Sequence, residues 1–234
     1  MPKPKIALII VALLSAAPAY ADAAAPVSPD GVYSYTLKQN GGVLGNSTVT
    51  VRRSADGVHF RESQTLTTPL GPVDAQADEA VDGNNYAPLT WVATYTASGA
   101  SHSFRLGISG SRAIQNVDGA SRVPLVQQPG TQGITILDQA LVSGFMVLPA
   151  QVAAGKAGLL TMLVPSANLA LALRIDAGAA PAKPANAAAG DVALSVMSPL
   201  PLTVWYDPKT LIVDVIDVPS QSLVITLTKR TQIS

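Results

Sequence analysis

The sequence predicts a mainly β protein, built as a curved antiparallel sheet or an open β-barrel with one central amphipathic helix. Three observations support this fold class. Apolar and polar residues alternate with a period close to two over most of the chain after Tyr33. Turn signals recur roughly every 8–12 residues, which is typical of a sandwich or a barrel. One segment, Leu137 to Leu148, has its apolar residues at helical spacing instead.

Residues 1–21 are predicted to be a signal peptide. Two lysines precede an apolar stretch from Ile6 to Ala17, which is too short to span a bilayer as a helix. Pro18 and a small-x-small pattern that ends at Ala21 are typical of a cleavage site. The alternative is an uncleaved signal anchor. We therefore expect a periplasmic or secreted protein whose mature chain has no transmembrane segment.

An Ala/Pro-rich leader over residues 22–30 is expected to be flexible, and residues 31–234 are expected to form a single β-rich domain. The domain opens with three strands in an antiparallel meander, joined by tight turns at Gly41-Gly42 and Asp56-Gly57. Alternation gives each of these strands one apolar face, which carries Tyr33, Tyr35 and Leu37, then Val49 and Val51, then Phe60 and Leu66.

Further strands follow, and one helix interrupts them. The helix is expected over Leu137–Leu148, with Asp138 as its cap or in its first turn and Pro149 after its end. An Ala/Pro-rich loop is expected over residues 177–190. The strands expected after the meander are Gly71–Val81, Leu89–Tyr95, Ser103–Ile108, a short run that contains Ile114 and Val117, Leu159–Val164, Leu169–Asp176, Val192–Met197, Leu202–Tyr206, Leu211–Val218 and Leu223–Thr228.

The composition excludes several classes of protein. Charged residues make up only 13% of the chain, and 15 Lys and Arg balance 15 Asp and Glu. This balance argues against a nucleic-acid partner, and a hydrophobic content of 48% argues against an intrinsically disordered chain. Because the sequence has no cysteine, disulfide scaffolds and cysteine-ligated zinc or iron–sulfur sites are excluded.

Residues that could carry chemistry are few. His59 and His102 would form a catalytic or metal-binding pair only if their strands met, and surface histidines or satisfied core histidines are the favoured interpretation. The acidic stretch from Asp74 to Asp82 suggests a calcium site, but a solvated acidic edge strand is favoured. Asp214 and Asp217 lie on opposite faces of one strand, so they do not form a carboxylate pair. The sequence therefore predicts no catalytic residue, no metal site and no cofactor, and favours a protein that is not an enzyme.

Apolar residues occupy both faces of two predicted strands, Leu159–Val164 and Leu211–Val218. Two interpretations stay open: a fully packed core, or a sheet curved around the helix with an apolar concavity for a lipid or acyl chain. Small side chains at Ala170, Ala172 and Ala193 would leave room in such a concavity. The residues predicted to bind the ligand are Trp91, Phe104, Leu141, Phe145, Leu171 and Trp205.

Several short motifs are distributed along the predicted domain. They are Gly31-Val32-Tyr33-Ser34-Tyr35, the Asn40-Gly41-Gly42 turn with Leu44-Gly45 after it, Leu202 to Pro208, which contains Trp205-Tyr206-Asp207, and Asp217-Val218-Pro219. Together they resemble bacterial exported families of unknown function. The resemblance spans most of Gly31–Arg230 and implies an open antiparallel β-barrel of the kind seen in periplasmic lipoprotein carriers. It carries no catalytic residue over to this chain, and the Ala/Pro-rich loop departs from the pattern.

The preferred functional hypothesis is a non-enzymatic exported β-protein. It would bind a lipid, another apolar molecule or an envelope component in the concave face of its sheet. One alternative is a secreted serine hydrolase that uses His59 or His102 as its base. Another is a structural adaptor in envelope assembly that binds partners through its edge strands.

Overall fold

A computed structural model describes residues 29–156, 158–176 and 181–233. The predicted signal peptide and residues 22–28 lie outside the described residues, as does the start of the Ala/Pro-rich loop, residues 177–180. Within these ranges sixteen strands belong to one sheet and one segment is α-helical. The first eight strands are β1 (Gly31–Gln39), β2 (Gly42–Ser54), β3 (Gly57–Thr68), β4 (Gly71–Val81), β5 (Pro88–Ala97), β6 (Ala100–Ser109), β7 (Arg112–Val117) and β8 (Ala120–Ser121).

The second half of the chain contains the helix and shorter strands. Two 3₁₀ turns, Pro165–Ala167 and Pro219–Gln221, connect strands in this half. Its other elements are β9 (Leu125–Val126), β10 (Ile134–Ile136), α1 (Val142–Ala153), β11 (Leu159–Val164), β12 (Leu169–Asp176), β13 (Val192–Ser198), β14 (Leu202–Tyr206), β15 (Val213–Val218) and β16 (Leu223–Gln232).

The sheet runs in the order β10 to β16, then β1 to β8, while β9 pairs with β7 beside this path. Neighbouring strands are antiparallel except for the parallel pair β10–β11. The sheet is curved but not closed by strand pairing. Side chains bridge the seam instead, since Gln115 Nε2 donates to the Pro165 carbonyl at 2.6 Å and Gln128 Nε2 donates to the Ala170 carbonyl at 3.0 Å. The predicted mainly β fold, an open curved sheet with one helix, is confirmed.

The opening meander is confirmed as β1, β2 and β3. Tyr33, Val49 and Phe60 are fully buried on the face that alternation predicted to be apolar. Gly57 fits the turn before β3 because its φ is +142° and an added Cβ would lie 2.2 Å from the Val81 carbonyl oxygen. These strands supply one wall of the barrel-like fold.

Two apolar clusters form the core. The larger one joins β1 to β3 with α1 and with the strands from β11 to β16. The smaller one joins β4 to β7 with β9 and β10 and with residues Leu141 and Leu163. Helix α1 lies against β2, β3, β10 and β15, so it occupies the concave face of the sheet.

The helix begins five residues later than predicted and includes the proline that was expected to follow it. Leu137 is not helical, because its amide donates to the Leu163 carbonyl at 3.1 Å and so extends the end of β10. Pro149 lies inside α1, where it removes one backbone donor without ending the helix. Residues Val142 to Gln151 are all buried, so the helix is enclosed on every side and not along one stripe only.

Two strand expectations also change. The acidic segment of β4 is not an edge strand, because β4 pairs along its whole length with β3 and β5. The short strands β8, β9 and β10 were not predicted, since two or three residues are too few to show a period. Leu211 and Ile212 belong to the turn before β15, and Leu211 has a φ of +56°.

Candidate functional site

The N-terminus of helix α1 is held by a carboxylate from the sheet. Glu62 on β3 accepts hydrogen bonds from the backbone amides of Val142 at 2.9 Å and Ser143 at 2.8 Å. The hydroxyl of Ser47 donates to the same carboxylate at 2.6 Å. Leu141 precedes the helix and offers no capping oxygen, so Glu62 satisfies the free amides and places negative charge at the positive end of the helix.

The other end of the helix is held by Gln151. Its Nε2 donates to the Tyr86 carbonyl at 2.8 Å and to the Ile134 carbonyl at 2.9 Å. Near the first turn, Gln64 Nε2 donates to the Ala140 carbonyl at 2.9 Å. The helix has no charged residue between these points. An apolar segment is therefore fastened inside the barrel by a few polar contacts at its two ends.

Glu79 on β4 is a second carboxyl group in the interior. Its side chain is 0% exposed, and neither of its oxygens has a hydrogen-bond partner among the described residues. On the flanking strands it lies beside Phe60 and Trp91, which belong to the two different apolar clusters. Burial raises the pKa of Glu79 to about 8, and repulsion by the Glu62 carboxylate adds to the shift.

Glu62 and Glu79 are close neighbours on one face of the sheet. Glu62 pairs with Ala77, two residues before Glu79, so the two acids are diagonal neighbours about 7–8 Å apart between Cα atoms. Burial also raises the pKa of Glu62, although its bonds to Ser47 and to the helix amides oppose this shift. No lysine or arginine is among the buried residues of the described chain. The two acids therefore face each other without a buried cation.

Asp138 is a third buried carboxyl group and has a full set of partners. The Tyr95 hydroxyl donates to it at 2.9 Å, and both the hydroxyl and the amide of Ser166 donate to it. Burial raises the pKa of Asp138, while these bonds act in the opposite direction. Asp138 was expected to cap the helix, but it joins β5 to the 3₁₀ turn after β11 instead.

The six residues predicted to bind a ligand do not form one lining. Trp91, Phe104 and Leu141 share the smaller apolar cluster. Phe145 belongs to the larger cluster, and Leu171 packs at its margin. Trp205 is also buried but lies outside both clusters, with the Lys183 ammonium group 5.7 Å from its ring centre. The structure thus brings three of the six together, and their role in binding stays a prediction.

The three small residues expected to leave room also differ in position. Ala172 is exposed, so it leaves no room inside the sheet. Ala170 and Ala193 are partly buried, and Ala170 packs against the smaller apolar cluster. The alternation of β12 places Leu173 and Ile175 in the core.

The buried acids were missed by the sequence analysis, although a local signal was present. Glu62 is two residues after Phe60, and Glu79 is two residues before Val81, so each shares the inward face of its strand. An acidic residue at an inward position is uncommon without a partner. Reading the polar residues with the same period as the apolar ones would have identified both.

The two histidines do not meet. His59 lies between Asp56 and Asp78, at 3.5 and 3.7 Å, near the start of β3. His102 lies 2.9 Å from Asp118 near the start of β6. Along the strand direction this is the opposite end from His59, which is level with Gly107 of β6. Strand spacings and register place the two side chains roughly 20 Å apart. A site that uses both histidines is therefore excluded.

The acidic residues of β4 and of the turn after it do not converge on one point. Asp74 accepts a bond from the Thr65 hydroxyl at 2.8 Å, and Asp78 pairs with Arg61 at 2.8 Å. Asp82 accepts the amides of the following turn, while Glu79 faces the interior. Across the described ranges, no group of three or more acidic or histidine residues could hold a metal ion.

The turn after β14 forms a surface cleft of about 430 Å³. Asp191 and Asp214 lie together in it, and Arg230 lies at its wall. Burial, followed by the charge of Asp191, raises the pKa of Asp214 to about 6. Asp214 therefore has an acidic partner after all, but this partner lies on the loop before β13 and not on its own strand.

Comparison with known proteins identifies the fold. No protein-family model and no curated protein matches the sequence. A β-barrel-like protein of the domain of unknown function DUF1849 from Brucella abortus is similar in structure, with a TM-score of 0.56 and 11% sequence identity. The match covers 89% of this chain and 100% of that chain. None of the helices in the described part of this chain is long and apolar enough to cross a membrane. The chain therefore shares the β-barrel-like fold of that protein over most of its length.

Proposed function

We propose that the protein is a non-enzymatic carrier that binds a lipid or another apolar molecule in the concave face of its sheet. The observation that supports this most directly is helix α1. Ten consecutive buried residues, Val142 to Gln151, fill the concave face without a charged side chain. A segment of this kind occupies the space that an apolar ligand would take. On this proposal the apolar chain of an entering ligand replaces the core contacts of α1, and the helix is released as a unit from the polar contacts at its two ends.

The structure does not favour the hydrolase hypothesis. Each histidine is paired with carboxylates on the surface, and neither has a serine hydroxyl among its bonded partners in the described chain. The interior contains buried acids and apolar side chains, which suit binding better than acyl transfer. No specific observation supports the adaptor hypothesis over a carrier.

Ligand binding can be tested by loosening the helix. Replacing Glu62→Ala removes the acceptor for the first two helix amides, so the variant should bind a solvatochromic dye several-fold more strongly than the parent. Gln151→Leu loosens the other end and should act in the same direction. Ser63→Ala, which changes the exposed neighbour of Glu62, is the matched control. Circular dichroism confirms that each variant is folded.

The natural ligand can be sought by native mass spectrometry of protein purified from its own envelope. A bound apolar molecule of defined mass is expected. A clean ligand-free mass, together with no dye binding by the parent or by either loosened variant, would contradict the carrier function.

Export is part of the same proposal. A carrier of envelope components must reach the periplasm or the exterior, and residues 1–21 have the pattern of a signal peptide. N-terminal sequencing of protein from the periplasmic fraction should begin at Asp22. Recovery of the full-length chain from the cytoplasm would contradict export.

A further inference from the structure

The interior of the barrel holds Glu62 and Glu79 with no lysine, arginine or histidine among the buried residues of the described chain, which the carrier function alone does not explain. Glu62 and Glu79 are both buried, and within the described ranges the donors to Glu62 besides Ser47 and Gln64 come from the first turn of α1. No described residue donates to Glu79. If α1 moves aside, Glu62 loses the Val142 and Ser143 amides as well. Two acids would then face the emptied concavity.

Uncompensated buried carboxyl groups are costly, since each lacks the hydrogen bonds that water would give it. No buried lysine or arginine of the described chain can supply them. A ligand that brings N–H donors to these two acids is therefore favoured over a ligand that brings none. Phe60 and Trp91, on either side of Glu79, form an apolar surround suited to the chain that carries such a donor group.

We propose that Glu79 and Glu62 bind the ammonium group of a cationic amphiphile, whose apolar chain takes the place of helix α1. This inference rests on the proposed carrier function and specifies its ligand class. An ammonium group has three N–H donors, enough to reach both carboxylates. An ionised fatty acid would place a further carboxylate beside Glu62 and Glu79 without bringing a donor, and an alcohol would bring a single donor.

Single-chain molecules that share one tail and differ in head group test this proposal. Dodecylamine, dodecanol and dodecanoic acid compete for a solvatochromic dye in the Gln151→Leu variant, in which the helix is loosened but both acids remain. Dodecylamine should bind at least tenfold more tightly than dodecanol, and dodecanoic acid should be the weakest. Glu79→Gln in the same background should reduce the amine to the affinity of the alcohol while leaving the alcohol unchanged.

The amine should also bind more tightly as the pH rises. Glu79 must be ionised to pair with the ammonium group, so the affinity should increase by about tenfold per pH unit between about pH 6 and 8. Of the packed elements, β3 presents Glu62 to Glu79, β5 presents Trp91 opposite it, and α1 carries no titratable side chain. The affinity for dodecanol should not follow this slope.

The outcomes separate the two proposals. Binding of all three molecules with equal affinity, or tightest binding of the acid, would overturn the cationic ligand class and leave the carrier function standing. An amine preference that persists in Glu79→Gln would also overturn it. Failure of dodecanol as well as dodecylamine to bind the loosened variant would overturn both proposals. Thermal unfolding and circular dichroism of each variant show that it is folded before binding is measured.

Discussion

At the scale of single residues, three of the buried acids, Asp138, Glu62 and Glu79, are stabilised to different degrees. Asp138 has hydroxyl and amide donors, Glu62 has helix amides and Ser47, and Glu79 has no donor among the described residues. Burial raises the pKa of all three. Because a raised carboxyl pKa favours the protonated form in the folded state, these groups make the protein less stable as the pH rises.

Glu79→Gln should flatten the dependence of stability on pH. The pKa of Glu79 is about 8 in the folded protein and 4.5 ordinarily, so between these values the folded state keeps a proton that the unfolded chain has lost. The part of the free energy of unfolding that depends on this proton is at its maximum below pH 4.5. It falls by about 1.4 kcal/mol per pH unit as the pH rises from there toward 8. Urea unfolding at several pH values measures the slope. Gln76→Glu, which adds an exposed acid on the same strand, should keep the slope of the parent. Parallel profiles for Glu79→Gln and the parent would show that Glu79 is not buried as described.

Residue patterns predicted the inward face of each long strand but not what the buried polar groups do. Phe60 and Val81 show the period that also places Glu62 and Glu79 inside. The bonds of Glu62 to the amide of Val142 join residues 80 positions apart. A contact at that separation depends on how the sheet curves, and a local pattern holds no information about it.

At the scale of elements, helix α1 is placed by its surroundings and not by its own sequence signals. Its preceding residue has no capping side chain, and a proline lies within it. Helical spacing from Leu137 predicted that a helix exists, but backbone pairing with Leu163 and the position of Glu62 decide where it begins. Gly144 lies inside the helix, where glycine is less favourable than alanine. In the structure it allows the helix to approach β10 closely, since an added Cβ would lie 2.2 Å from the Ile136 carbonyl oxygen.

Gly144→Ala should therefore destabilise the protein although alanine favours helices. The gain in helix propensity is about 1 kcal/mol, whereas the forced shift of the backbone at Ile136 should cost more, with a net loss of about 1–3 kcal/mol. Thermal and urea unfolding measure the effect. Ala153→Gly, at the exposed end of the same helix, is the control and should lose only about 1 kcal/mol by propensity. A stabilised Gly144→Ala variant would contradict the close packing of helix and strand.

Lys183 should hold the described part of the Ala/Pro-rich loop in one conformation. Its ammonium group donates to the carbonyls of Ala188, Ala189 and Asp191 at 3.1, 2.8 and 2.7 Å, which uses all three N–H donors. Lys183→Met should leave these carbonyls without that donor and speed proteolysis of the loop several-fold. Lys209→Met, in the next exposed turn, is the control. Equal cleavage rates for the two variants would show that Lys183 does not hold the loop.

At the scale of the whole molecule, the fold is a large sheet whose ends meet without strand pairing. Side chains such as Gln115 and Gln128 bridge the two ends. The mainly β class and most strands followed from alternation and turn signals. The closure of the seam did not, because it depends on short strands and on side chains that contact carbonyls some 50 residues away.

Gln115→Ala should loosen the seam. The side chain is 0% exposed, and its bond to the Pro165 carbonyl is 2.6 Å long, so its loss should cost about 1–3 kcal/mol. Hydrogen exchange of peptides from β7 and from the segment around Pro165 should become faster. Ile114→Ser, at an exposed neighbouring position, is the control and should leave exchange around Pro165 unchanged. Unchanged exchange in Gln115→Ala would show that the seam is held by other contacts.

The connection of helix α1 to its strands has a consequence for any ligand that replaces it. Residues 137–141 and 154–158 join the helix to β10 and β11, so a displaced helix remains within a few residues of chain from the site it left. Such a short tether corresponds to an effective concentration on the order of millimolar. Under the proposed carrier function, α1 therefore acts as a tethered competitor of the ligand. A ligand must bind tightly enough to exceed that local concentration, and once it departs the helix returns without a diffusional search.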